Sequence, residues 1–269
     1  MTTGELFLRA WDFEPSVIIG CVFLMLSFLV IVRFRMDRRA GFFTFGVALL
    51  LLTLIGPLDF LGDDYMFSAH MLEHLMLILP VPILLLLGLP AASIRTLLEI
   101  PAVAGIERFL RRPALGWILA VVTMWAWHAP LLYNAALASE GIHAIEHLTM
   151  LVTATVFWWP IFSPLPELRF PPITAGVYIF LAAAAEMLLG VLLTFAPLGY
   201  YPTYMRTVSG AGAEAQVFGL IRNTWGITPQ FDLQLGGLIM WVLGGLFYFG
   251  AFVTVTARLF QVSEADASA

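Results

Sequence analysis

Seven stretches of mostly apolar residues, at about 16–34, 41–61, 66–89, 114–133, 143–163, 173–198 and 234–260, constrain this chain more than any other feature. A helix needs about 20 such residues to cross the hydrocarbon core of a bilayer. The composition agrees: of 269 residues, 61% are hydrophobic and 12% charged, about half the charge of an ordinary soluble domain. The connections are short except 91–113 and 199–233, and no break in composition separates two units. The expectation is an all-α integral membrane protein, a seven-transmembrane-helix bundle forming one domain over 1–269.

Charge placement orients the bundle. There is no lysine, and the net charge of −5 is small and spread out, which does not suit a nucleic-acid partner. Ten arginines (33, 35, 38, 39, 95, 108, 111, 112, 169 and 258) fall after the first, third, fifth and seventh stretches. The other side carries Arg9, Arg206 and Arg222 with the acidic run "DFLGDDY". Positive residues favour the cytoplasmic side, so the N-terminus is expected outside and the C-terminus in the cytoplasm, with 199–233 as a long extracytoplasmic loop. The single cysteine, Cys21, lies in an apolar stretch and leaves no disulfide or thiolate motif. The first fifteen residues do not read as a removable signal peptide.

Four of the five histidines stand in two copies of one pattern, "HMLEH" (His70 to His74) and "HAIEH" (His143 to His147). A shift of 73 residues lays 57–75 on 130–148 with six identities in nineteen: Pro57, Leu58, His70, Glu73, His74 and Leu75 on Pro130, Leu131, His143, Glu146, His147 and Leu148. This reads as a pseudo-repeat relating helices 2–3 to helices 4–5, with both histidine helices running from outside to inside. Such a parallel repeat implies a pseudo-twofold axis along the membrane normal.

On a helix, positions i and i+4 share a face. His70 with His74, and His143 with His147, could therefore each reach one ion, with Glu73 and Glu146 alongside. At about 1.5 Å per residue the pairs lie some 5–12 Å below the outer surface. His128, near the outer end of the fourth stretch, joins the same layer. Imidazole suits copper, zinc and iron, and a neighbouring carboxylate can fix the ring tautomer; that is the role expected of Glu73 and Glu146. Met66, Met124 and Met150 lie three or four residues from His70, His128 and His147, so thioether could join imidazole around Cu(I). The plainer alternatives are that membrane histidines glue helices together and that methionines fill gaps. Glu186, within "AAAAEMLLG", is costly in lipid unless protonated or paired and reads either as a relay or ligand or as a packing hydrogen bond. Asp59 and Asp232 border the outer face and read as solvated carboxylates. Pro80 and Pro82 are expected to kink the third helix below its histidines.

Several function classes fit. One is a non-catalytic copper-handling protein. Another is a metal-dependent membrane enzyme, since His-x-x-Glu-His also matches an inverted zinc-protease motif, although such an enzyme needs one copy rather than two. A third is a haem-binding electron carrier, and a fourth a metal-free scaffold.

The segments "FSAHMLEHLMLILPVPILLLLGLP", "WHAPLLYNAALASEGIHAIEHLTMLVTATVFWWPIFSP" and "FDLQLGGLIMWVLGG" resemble the seven-helix CtaG-type (caa3-type) assembly factors of cytochrome c oxidase. The resemblance implies a non-enzymatic protein of the bacterial inner membrane. Its partners would be lipid, oxidase subunits and a periplasmic copper donor, and its chemistry copper delivery from a site facing the periplasm. On it, His70, His128, His143, Glu146, His147 and Asp232 take the family's motif positions.

Overall fold

Proline sets where the helices start. A computed structural model of the chain describes residues 1–33, 37–206, 208 and 210–267, with side chains as far as Arg258. Arg35 of the first basic loop lies outside the described residues. Among those described, every regular element is helical. After a short capped α1 (Thr3–Arg9) come α2 (Pro15–Ile31), α3 (Arg38–Ile55), α4 (Pro57–Asp64), α5 (Phe67–Ile78) and α6 (Pro80–Gly88). Next are α7 (Ala91–Leu98), α8 (Pro101–Leu110), α9 (Pro113–Trp127), α10 (Pro130–Leu137), α11 (Glu140–Phe162) and α12 (Pro172–Thr194). The chain closes with α13 (Ala213–Gly219), α14 (Pro229–Leu238) and α15 (Gly245–Ala267). Eight of these helices open on a proline, where the missing N–H costs nothing and φ is already helical.

This punctuation ends the second expected span early, bends the fourth, and puts the kink expected from Pro80 and Pro82 into the third, which remains one span. The stretch 41–61 stops at Ile55, and Gly56–Pro57 redirects the chain into α4. The stretch 66–89 breaks at Leu79, whose φ and ψ of −111° and −83° leave the helix before Pro80 starts α6. The break answers to Pro80, which cannot continue the ladder of the preceding helix. In the stretch 114–133, α9 and α10 meet at an angle of 71°. Among the described residues, five helices are long and apolar enough to cross a membrane: Arg38–Ile55, Phe67–Gly88, Glu140–Phe162, Pro172–Thr194 and Pro229–Arg258. The bent α9–α10 pair would make a sixth, and α2 is a shorter apolar helix. The protein is an all-α membrane protein.

The span made of α5 and α6 lies at the centre. Its apolar window is 67% buried inside the protein, against 28–44% for the other four. It packs on α3, α4, α11 and α14. Close backbone approach needs small residues where the hydrophobic effect is absent. At Gly88 a Cβ would stand 2.6 Å from the Phe43 backbone nitrogen, fixing α6 against α3. At Gly190 it would stand 2.8 Å from the Trp241 backbone nitrogen, where α12 meets the last span.

The repeated stretches fold alike. Each is a proline-started eight-residue helix, α4 or α10, followed after a short break by a histidine helix, α5 or α11. The segment 199–233, expected as an outer loop, contains a 3-10 turn at Pro202–Met205, α13 and a π turn at Leu220–Thr224.

Candidate metal centre

The histidine helices place their motifs face to face. On α5, His70, Glu73 and His74 are all fully buried, as is Glu146 on α11, while His143 and His147 retain 8% exposure. The rings of His70 and His143 stack with centroids 5.4 Å apart and planes at 22°. The rest of the contact is reciprocal: His74 Nε2 lies 3.5 Å from Glu146 Oε1, and His147 Nε2 lies 3.9 Å from Glu73 Oε1. The last histidine of each copy thus meets the carboxylate of the other, as a twofold relation requires. Each carboxylate thus faces a ring across the helix interface as well as lying within 4.8 Å of a histidine on its own helix.

These groups fit a metal ion. Hydrogen bonds of ordinary geometry are absent at both nitrogens of His70 and His74, at Nε2 of His143 and His147, and at both oxygens of Glu73 and Glu146. Buried polar atoms left unpaired are costly, and a cation would satisfy them together. His70, His143, Glu146 and His147 each offer one ligand atom, all within 4.8 Å of one another. Metal–imidazole bonds of about 2.0–2.1 Å set two ligands of one ion at most about 4 Å apart, a gap that small side-chain movements close. Asp63, His70 and Glu73 form a second such group, so His70 belongs to both.

Asp63 carries no signal in the sequence. It sits on α4, where the repeat places Ala136 on α10, so no motif marks it. Its carboxylate reaches both leading histidines, 3.8 Å from His70 Nδ1 and 3.5 Å from His143 Nδ1. With no cation beside it, burial, reinforced by the nearby Asp59, raises this carboxyl above the usual range.

His74 and His128 stand beside the four-residue group. His74 lies 4.2 Å from His70 and 5.4 Å from His128, ring to ring. Both nitrogens of His128 are engaged, Nδ1 with the Met124 carbonyl at 2.7 Å and Nε2 with the Met71 sulfur at 3.3 Å. The thioether in this layer therefore belongs to Met71, on the facing helix. Met66 packs instead in a cluster with Leu6, Tyr65 and Phe218. Met124 and Met150 line a separate cavity of about 30 Å³ with Trp158, Glu186 and Tyr248. Glu186 is buried there beside Tyr248, with neither oxygen in a hydrogen bond of ordinary geometry.

Asp232 and Asp59 are buried, which corrects the expectation that water solvates them. Asp232 accepts from the Phe67 N–H at 2.8 Å, the Ser68 N–H at 3.2 Å and the Ser68 hydroxyl. It caps α5 from 164 residues away, and an anion at a helix N-terminus is favoured by the dipole. An aromatic wall closes the same side. Tyr133 and Tyr204 share a hydrogen bond of 2.8 Å, Tyr204 donates to the Gly62 carbonyl, and Tyr201 donates to the His128 carbonyl. Tyr201 and Tyr204 come from 199–233, so this segment covers the histidines.

Comparison with known proteins fits this geometry. The model of one family, described as cytochrome c oxidase caa3 assembly factor, matches residues 24–261. An uncharacterized protein of Mycobacterium leprae (strain TN) is 23% identical over 261 residues, covering 87% of this chain. The match takes in only 37% of that relative, so this chain spans a little over a third of its length. No solved structure matches.

Proposed function

The chain belongs to the family of cytochrome c oxidase caa3 assembly factors, and on that premise we propose that it holds copper at its paired histidine motifs and supports delivery of that copper to the oxidase. The observation that carries this reading is the convergence of His70, His143, Glu146 and His147, with ligand atoms within 4.8 Å and no hydrogen-bond partner at His70 or at Nε2 of His143 and His147. Asp63 completes the set beside His70, Glu73 faces His147 of the opposite motif, and Glu146, one of the four, also reaches His74. His74, His128 and Met71 form the adjoining wall. The donor set is imidazole and carboxylate with a thioether alongside, which suits copper above a hard cation such as magnesium.

In this reading the bundle crosses the bacterial inner membrane seven times, counting α2 and the bent α9–α10 pair as spans. The N-terminus and the metal centre lie on the periplasmic side and the arginine-rich ends in the cytoplasm, in keeping with the positive-inside rule. Copper is cargo, the partners are oxidase subunits and a periplasmic copper donor, and no bond is made or broken on a substrate. The protease alternative loses ground because Glu73 and Glu146 each face a histidine of the opposite motif, which leaves neither set apart as a general base.

The test is oxidase maturation in cells carrying His143→Ala or His147→Ala. The expected result is wild-type amounts of the variant in the membrane with oxidase activity lost. Normal oxidase activity in both variants would remove the histidine centre from the function.

A further inference from the structure

A groove of about 400 Å³ runs between the N-terminal part of α2, the helices α3 and α4, and the start of α11. Five carboxyl groups, Asp12, Glu14, Asp59, Asp63 and Glu140, line it among residues that are otherwise mostly apolar, and no arginine does. Its inner wall is His143 and His147. Both side chains are about nine-tenths buried, and Nε2 of each lacks a hydrogen-bond partner. These are the two histidines of the centre with residual exposure. His70 and His74, on the far side, have none, and the tyrosines and Phe67 seal the flank beneath 199–233.

We propose that this groove is the port through which a metal cation enters and leaves the histidine centre. The proposal rests on the metal-holding reading and adds the route. Clefts lined by charge of one sign concentrate the opposite ion and raise association rates about 10- to 1,000-fold. Asp12, Glu14 and Glu140 sit at the outer rim, before and at the first turns of α2 and α11. Asp63 stands at the inner end, with one oxygen toward His143 in the groove and the other toward His70 in the sealed layer. It is placed to take a cation from the rim and pass it inward, holding it from both sides of that boundary. The second copy lacks the matching inner carboxylate: Ala136 stands where Asp63 does in the first copy.

The port can be altered without touching a ligand. The rim triple variant Asp12→Asn, Glu14→Gln, Glu140→Gln removes charge and keeps shape. Gly20 lines the groove and faces open space, with no heavy atom within 4 Å of a Cβ added there, so Gly20→Phe plugs it. Purified full-length protein would receive Cu(I) under anaerobic conditions, and bound copper would be followed in time by quenching with excess chelator. The expected result is wild-type copper per chain at equilibrium for both variants. The rim variant should load about 10-fold more slowly at low salt and lose the wild-type dependence on ionic strength, and the plugged variant should load more slowly still. Loading of the rim variant at the wild-type rate, with wild-type salt dependence, would overturn the port and leave the centre standing. Uptake of no copper by the wild-type protein would overturn the centre, and the port with it. If Gly20→Phe does not fold, the rim variant decides alone.

Discussion

The two copies of the histidine motif share spacing, helix direction and reciprocal contacts, yet they are built into the molecule in opposite ways. The first sits on α5, with all three motif side chains fully buried, a carboxylate from the last span capping the helix, and Pro80 ending it one turn after the motif. The second sits on α11, which runs 23 residues without a side-chain cap at Ser139 and leaves both its histidines bordering the acidic groove. The repeat supplies matched side chains, and the structure around them differs. One copy is enclosed and the other borders the groove, which in the proposed centre makes the first a fixed wall and the second the accessible face. The difference that separates them most plainly is Asp63 against Ala136, a carboxylate present in one copy only.

Breaking the fixed wall should have the largest effect. Asp232→Ala would leave two buried N–H groups of α5 unpaired, which costs about 1–3 kcal/mol each; detergent unfolding should show a loss of about 2–6 kcal/mol. Loss of less than about 0.5 kcal/mol would mean that α5 is held by packing alone. The reciprocal carboxylates give the next test. Glu73→Gln and Glu146→Gln should each weaken copper affinity by about 10- to 100-fold, the usual consequence of losing a group that orients a ligand. Similar losses in a competition titration support the twofold pairing, and a loss in one alone would break it. Met71→Leu conserves volume and removes the sulfur beside His128, so stability should change by less than about 1.5 kcal/mol; a larger drop would make that contact a pillar of the layer. Ser139→Ala, at the uncapped start of α11, should be the mildest, within about 0.5 kcal/mol, and a cost near that of Asp232→Ala would erase the contrast between the helices.

Local periodicity makes much of this legible. Apolar run length announces the spanning helices, and i, i+4 spacing alone puts each histidine pair on one face of its helix. The repeat at 73 residues correctly foretells that two stretches fold alike. What stays hidden depends on contacts between distant parts of the chain. Asp232 reads as solvated because its partners at Phe67 and Ser68 are 164–165 residues away. Met71 stands three residues before His74, the same spacing as Met150 beside His147, yet its sulfur meets His128 on another helix, a contact that no spacing announces. Asp63 is one of several acids on α4 and has no counterpart to flag it. Tyr201 and Tyr204 lie in a segment without periodicity, so their place over the centre has no signal beyond being aromatic.

The central claim is that the convergent histidines hold a metal ion, and the most direct measurement is copper, zinc and iron per chain by elemental analysis. It compares detergent-purified wild-type protein with a variant carrying alanine for His70, His74, His128, His143 and His147. The expected result is at least one copper per wild-type chain, lost in a variant that still reaches the membrane. Absence of metal from the wild-type protein under copper-replete conditions would contradict the claim and leave the histidines as packing groups in a scaffold for the oxidase.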